Sequence, residues 1–389
     1  MGELPDTTEV AIIGGGVIGL VVARALALRG LSNVLLIERG SLGAESSSAA
    51  AGMLAPQAEA DRADDFFHLA CRSRDMYPAF AAALLEETGI DIELDSTGTL
   101  YLAFTGEDAR ELEKRYEWQS KAGLALEMLR GEDARRLEPG VSENVCAALK
   151  FPLDRQVESR RLISALGAST EKLGVRLVTG TTVTALKTDH GGVAGVETSR
   201  GFVSTNNVVI AGGAWTSLLG LAALSGKITS HKALPTLRIE PIRGQMLCFE
   251  ANPQIARHVI YSPRGYIVPR RDGRLLAGST TEQAGFDRRV TAEGVRSILS
   301  AALEISPQIG ALPMAASWAG LRPRAAGGLP VVGPYAEIEG LFYATGHYRN
   351  GILLAPITGE LIAGAIVDKV DSTSFGIFSP DRFDLVSVA

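Results

Sequence analysis

Cysteine is scarce in this chain: three in 389 residues, Cys71, Cys146 and Cys248, and no two of them form a C-x-x-C pair. An odd, widely spaced set excludes a disulfide framework and a cysteine-based zinc site, and it fits a reducing compartment, the cytoplasm. Long apolar runs are missing as well. Val17 to Leu28 is shorter than the about 20 residues a membrane span needs and contains Arg24, while Gly351 to Val367 is interrupted by Pro356 and Glu360,. Clustered positive charge is also absent. The doublets Arg135-Arg136, Arg270-Arg271 and Arg288-Arg289 stand alone on a chain of formal net charge −6. They read as solvated surface, and neither nucleic acid nor a membrane is expected as a partner. The opening Met1-Gly2-Glu3-Leu4-Pro5-Asp6 is acidic, without the basic and apolar stretches of a secretory signal,. No 20–50-residue repeat and no low-complexity linker is visible.

What is present is apolar residue in quantity: 46% hydrophobic against 21% charged, enough for a large core,. The length fits two or three domains or one two-lobed unit. Val10-Ala11-Ile12-Ile13 is a continuous apolar run, the pattern of a buried parallel strand, and it stops at three glycines,. Val17 to Arg29 follows with helical spacing and a Gly30 stop, then a second apolar run, Val34 to Ile37, ends at Glu38,. Strand, turn, helix and strand of this length make a βαβ unit with parallel strands. Beyond it, Ser46 to Pro56 reads as a loop. Helices are expected at Asp64–Glu87, Glu107–Lys121, Ser159–Leu173, Thr291–Ile305 and about Pro356–Val367. Strands are expected at Thr99–Phe104, Val175–Val178, Thr182–Leu186, Val193–Thr198, Val208–Ala211 and several between Gln245 and Ser279, with two more near Pro330–Val332 and Leu341–Thr345.

The βαβ unit carries Gly14-x-Gly16-x-x-Gly19 between its first strand and its helix, with Glu38 at the end of its second strand. In that context the first glycine permits the turn, the second admits a pyrophosphate, and the third lets the helix pack on the strand. The helix N-terminus offers N–H donors, and Glu38 suits adenosine ribose hydroxyls while disfavouring a 2′-phosphate. NAD and FAD share this fingerprint. A glycine-rich turn that merely starts a helix is the plainer reading, and the strand, helix and acid together argue against it.

Four further stretches decide between the dinucleotides. Ser46-Ser47-Ser48-Ala49-Ala50-Ala51-Gly52-Met53-Leu54-Ala55-Pro56, Ala211-Gly212-Gly213-Ala214-Trp215, Trp318-Ala319-Gly320-Leu321-Arg322-Pro323 and Gly346-His347-Tyr348-Arg349-Asn350-Gly351-Ile352-Leu353-Leu354-Ala355-Pro356 resemble the motifs of the D-amino-acid oxidase superfamily. Within it they most resemble the glycine oxidases of the thiamine-synthesis type, over Val10 to Val367. The resemblance implies an α/β fold: a Rossmann-like FAD-binding domain (1–90, 155–228 and 320–380) interleaved with a smaller α+β substrate-binding domain (91–154 and 229–319). It implies non-covalent FAD held by Gly14, Gly16, Val17, Ile18, Gly19, Glu38 and Arg39, by Ser46, Ser47, Ser48, Ala50, Ala51, Gly52 and Met53, and by Val183, Gly212, Gly213 and Trp215. Arg322 is implied to touch the same cofactor, and the last motif contributes His347, Arg349, Asn350, Gly351, Ile352 and Leu353 to it.

The implied activity is oxidation of a small amino acid. Arginine's planar fork matches a carboxylate as lysine cannot. The resemblance gives that role to Arg322, with the Tyr266 hydroxyl beside it and Arg349 lining the site or closing an internal ion pair. Ala55, Arg264 and Thr281 are the expected pocket residues; Arg264 replaces a histidine and Thr281 a methionine of the family pattern. Glycine is the first expected substrate, then sarcosine and short D-amino acids such as D-alanine, with oxygen as electron acceptor and no dedicated side-chain base. Alternatives are a dehydrogenase with another acceptor, a flavoprotein subunit of a hetero-oligomeric amine oxidase, and a nucleotide-binding module without redox chemistry. A homotetramer is the assembly the resemblance suggests.

Overall fold

The computed structural model describes residues 2–219 and 237–383. The expected domain boundary at 228/229 lies outside them. Val10–Ile13 (β1), Val17–Leu28 (α1) and Val34–Ile37 (β2) form the predicted unit, and β1 and β2 pair in parallel from Val10↔Val34 to Ile13↔Ile37. Both strands are buried along their whole length, which is why they carry no polar residue,. Strand 208–210 flanks β1 and strand 176–178 flanks β2, both in parallel; strand 341–345 extends the sheet, and strand 331–334 closes it in the antiparallel sense. α1 is apolar nearly all round because it is covered twice, by helix 159–172 and by helix 355–367,. The latter approaches so closely that a Cβ at Gly359 would lie 2.9 Å from the Val21 carbonyl oxygen.

The second sheet has eight strands in the order 314–325, 239–250, 274–278, 265–269, 259–262, 99–103, 147–151 and 127–130. Its alternation has period two. Leu247, Phe249, Ile267, Leu275 and Ala277 pack under helix 292–305, whereas Met246, Cys248, Tyr266, Val268 and Leu276 face the other way, with Ala51, Ala55 and Ala58. Those three alanines belong to the segment that follows β2, so this face of the sheet is closed by the other half of the molecule. The expected division at 319/320 cuts through strand 314–325, which pairs without a break from Ala316 to Ala325 with strand 239–250.

Most expected elements occur within a residue or two. Asp64 caps helix 65–88 by accepting from the Phe67 N–H at 2.9 Å, and Gly89 ends it in the left-handed region,. The expectation of a loop over Ser46 to Pro56 does not hold. Ser46–Ala49 and Pro56–Glu59 are short helices, and Met53–Leu54 is a strand paired with Arg155–Gln156. Its partner lies a hundred residues away, so no local period announces it.

Candidate active site

The strands of the parallel sheet end on one edge, and each is followed by a turn whose residues line one cavity: Gly14 after β1, Glu38 after β2, Gly212 after strand 208–210 and His347 after strand 341–345. This is where open α/β sheets hold their ligands. Gly14 has φ 113, and a Cβ at Gly19 would lie 1.9 Å from the Gly14 carbonyl oxygen. Both positions therefore require glycine. The Glu38 carboxylate accepts from the Gly15 N–H at 2.7 Å and the Gly40 N–H at 2.8 Å. Ser47 Oγ accepts from the Val17 N–H at 3.1 Å, tying the 46–56 segment to the start of α1. Arg39 lies 4.0 Å from the centre of the Trp215 ring.

Of the remaining expected cofactor residues, Gly16, Val17, Ile18, Ser46, Ala50, Ala51, Gly52, Met53, Val183, Gly213, Asn350, Gly351 and Ile352 line the cavity. Gly19, Ser48 and Leu353 do not. Gly19 packs α1 on the turn, Ser48 donates its N–H to the Gly43 carbonyl at 3.1 Å, and the Leu353 carbonyl accepts from Ser73 Oγ at 2.7 Å. Tyr77 donates to the neighbouring Ile352 carbonyl. Helix 65–88 thus holds the turn from which helix 355–367 starts. His347 is 3% exposed with Nε2 3.0 Å from Thr358 Oγ1, and burial pushes its imidazole down to about 3, so it is neutral at working pH.

At the other end of the cavity lie Arg322 and Tyr266, from the eight-stranded sheet. Arg322 Nη2 donates to Ser279 Oγ at 2.7 Å and Nη1 to the Thr280 carbonyl at 3.0 Å. Among the described residues no carboxylate pairs with it, an arrangement that calls for an anion in the cavity. Ala55 lines the same end. Arg349 lines it too and pairs with Glu59 at 3.1 Å, whose charge raises the guanidinium pKa. Glu59 also accepts from the Tyr261 hydroxyl at 2.9 Å.

The structure places two expected pocket residues elsewhere. Arg264 is outside the cavity, paired with Asp108 at 3.0 Å and with Glu304, which neutralise it. Thr281 is exposed and outside the cavity, while the two residues before it hold Arg322. Arg270, read as surface, is 4% exposed. Sequence reasoning missed Gly244, Met246, Glu59 and Tyr261, all of which line the cavity. Gly244 had a signal, an isolated glycine inside a strand pattern. Glu59 had none.

The donor set fits a dinucleotide with a bulky reactive ring: a glycine turn and the acid Glu38 at one end, then small residues, then a guanidinium with no carboxylate partner among the described residues. A Cβ at Gly320 would lie 2.7 Å from the Ala49 Cβ, so even the cavity wall is built from the smallest side chains. Fold and site together define a dinucleotide-dependent oxidoreductase whose cavity lies between the parallel sheet and the eight-stranded sheet.

The particular family follows from comparison. A model of the family described as FAD dependent oxidoreductase (DAO) matches residues 9–365, and the chain belongs to that family. It is 37% identical over 376 residues to the glycine oxidase of Geobacillus kaustophilus, covering 96% of this chain and 97% of that protein. A crystal structure of glycine oxidase from the same species matches with a TM-score of 0.91 at 36% identity, covering 97% of this chain and 100% of that one. The bifunctional protein ThiO/ThiG of Trichormus variabilis is 35% identical over 381 residues, which span 97% of this chain but 55% of that protein. None of Cys71, Cys146 and Cys248 lines the cavity, in keeping with non-covalent FAD.

Proposed function

We propose that this flavoprotein oxidises glycine, and after it sarcosine and short D-amino acids, with oxygen as acceptor. The observation that carries the reading is Arg322, a guanidinium facing the cofactor cavity with no carboxylate partner among the described residues. It binds the substrate carboxylate through two parallel N–H bonds, with the Tyr266 hydroxyl beside it. Ser279 and the Thr280 carbonyl hold the fork in place, so the amine end of the substrate is directed towards the small-residue wall. Met246, Tyr261 and Ala55 exclude water there. When bound there, FAD would accept the hydride leaving the substrate Cα, and its two electrons would reduce oxygen to hydrogen peroxide. His347 stays neutral and takes no proton. The imine product hydrolyses to glyoxylate and ammonia when glycine is the substrate.

Neutralisation of Arg264 by Asp108 and Glu304 favours monocarboxylates over substrates with a second carboxylate. Likeness to bifunctional ThiO/ThiG proteins supports a role for the imine in thiazole synthesis for thiamine. Three free cysteines support a cytoplasmic setting, and the superfamily resemblance supports a homotetramer, which light scattering tests.

The test is anaerobic bleaching of the yellow protein by glycine, sarcosine, D-alanine and D-proline in turn, followed by air and a peroxide assay. Rapid bleaching by glycine and prompt peroxide are expected. Bleaching without reoxidation refutes oxygen as acceptor, and no bleaching by any of the four refutes the substrate class.

A further inference from the structure

Arg270 follows the strand that carries Tyr266, and it belongs to none of the cofactor or substrate motifs. It is 4% exposed, and a charge so buried is expensive unless its donors are used,. Its guanidinium reaches three acceptors on two distant segments of chain. Nη2 donates to the Ala51 carbonyl; Nη1 donates to the Val157 carbonyl at 2.9 Å and to Gln156 Oε1 at 3.1 Å. Glu158 supplies the counter-charge, but at 3.4 Å from Nε, and Nε makes no hydrogen bond. Glu158 gives the same oxygen to Arg274 Nη2 at 2.8 Å. The guanidinium is therefore placed for the carbonyls rather than for the carboxylate.

The Ala51 carbonyl matters because of what shares its peptide plane. In a trans peptide the C=O and the following N–H point in opposite directions. With its oxygen held by Arg270, the Ala51–Gly52 peptide turns the Gly52 N–H away from Arg270, and that N–H finds no partner among the described residues. Gly52 lines the cavity, with φ 73, and a Cβ there would lie 2.0 Å from the Val157 carbonyl oxygen. The Val157 N–H in turn donates to the Gly52 carbonyl at 2.9 Å. Backbone alone holds one side of this loop, and Arg270 is the side chain that fixes the other.

We propose that Arg270 is a positioning residue for the cofactor. It sets the orientation of the Ala51–Gly52 peptide, presents the Gly52 N–H to FAD, and fixes that wall relative to Tyr266 on the strand that precedes it. This rests on FAD occupying the cavity and not on the identity of the amine.

The experiment is titration of apoprotein with FAD, followed by flavin fluorescence, alongside visible spectra and thermal melts. Arg270→Lys keeps the charge beside Glu158, but one ammonium cannot serve three acceptors in the fork geometry. The expected result is an FAD Kd raised about tenfold, a shifted flavin absorption band and, in steady-state assay, a lower kcat with the amine KM unchanged. An FAD Kd within twofold of the parent with an unaltered spectrum overturns the proposal, as does a lower melting temperature with unchanged FAD affinity. If the lysine variant does not fold, Glu158→Gln/Arg270→Met, which leaves no unpaired carboxylate, is compared with Glu158→Gln alone. A Kd raised about tenfold by the second substitution supports the role, and equal affinities overturn it. FAD affinity is read without substrate, so a failure of glycine to bleach the parent protein leaves this result intact.

Discussion

Substituting Gly244 by alanine tests the carboxylate clamp without touching either of its donors. Gly244 sits opposite Gly320 in the paired strands, directly beneath the Arg322 guanidinium. A Cβ there would lie 2.2 Å from Nη1 and 2.3 Å from Cζ and Nη2. Carbon in van der Waals contact stands about 3.5 Å away, so the guanidinium must retreat by roughly 1 Å. That movement breaks the 2.7 Å bond to Ser279 and the 3.0 Å bond to the Thr280 carbonyl. A misplacement of this size at a positioning group costs about 10²-fold in kcat/KM, equivalent to about 2.7 kcal/mol of transition-state stabilisation. Gly244 does not occupy the left-handed region, so alanine suits its backbone and global stability is expected to hold,. The assay is steady-state oxidation of glycine, normalised to bound flavin, with a thermal melt of the same preparation. A Gly244→Ala enzyme with full flavin content and kcat/KM within threefold of the parent refutes this role for the space above Gly244.

Arg322→Lys keeps the charge but loses the fork; the amine KM is expected to rise about 10²-fold, read by initial rates, with FAD affinity unchanged. Glu38→Gln weakens the charge-assisted bonds to the Gly15 and Gly40 N–H groups and to the cofactor ribose, so apoprotein titration is expected to show an FAD Kd about tenfold higher,. Arg264→Ala removes a group paired outside the cavity, and kcat/KM for glycine is expected to stay within twofold. Burial pushes the fully enclosed Asp154 carboxyl up to about 7, with Arg74 3.8 Å away acting against that shift. The folded state therefore binds this proton more tightly than the unfolded chain, and its contribution to stability is present below about pH 4 and lost as the pH rises through about 7. Melting temperatures at pH 5 and pH 8 are expected to show that loss in the parent and a flatter profile in Asp154→Asn.

The sequence by itself determined the cofactor end of this protein. Gly14, Gly16 and Gly19 are spaced by the geometry of one turn and one helix, and Glu38 ends the next strand, so the glycine turn and its acid are local and leave a local trace. Buried parallel strands such as Val10–Ile13 are equally legible, because burial on both faces forces a continuous apolar run. The guanidinium of Arg322 was reached only through the motif that contains it, since an arginine in a strand carries no mark of what it faces. Tertiary structure alone decided the rest. Arg264 and Thr281 lay where the family pattern put the pocket, yet one is neutralised by Asp108 and Glu304 and the other faces solvent. Arg270 looked like one half of a surface doublet and is among the most enclosed charges in the molecule. Its exposure depends on the segment Ala51–Met53 and strand 155–156 folding over it, contacts between residues more than a hundred positions apart. Periodicity records which face of an element is buried; only the meeting of distant elements decides what each buried polar atom meets there.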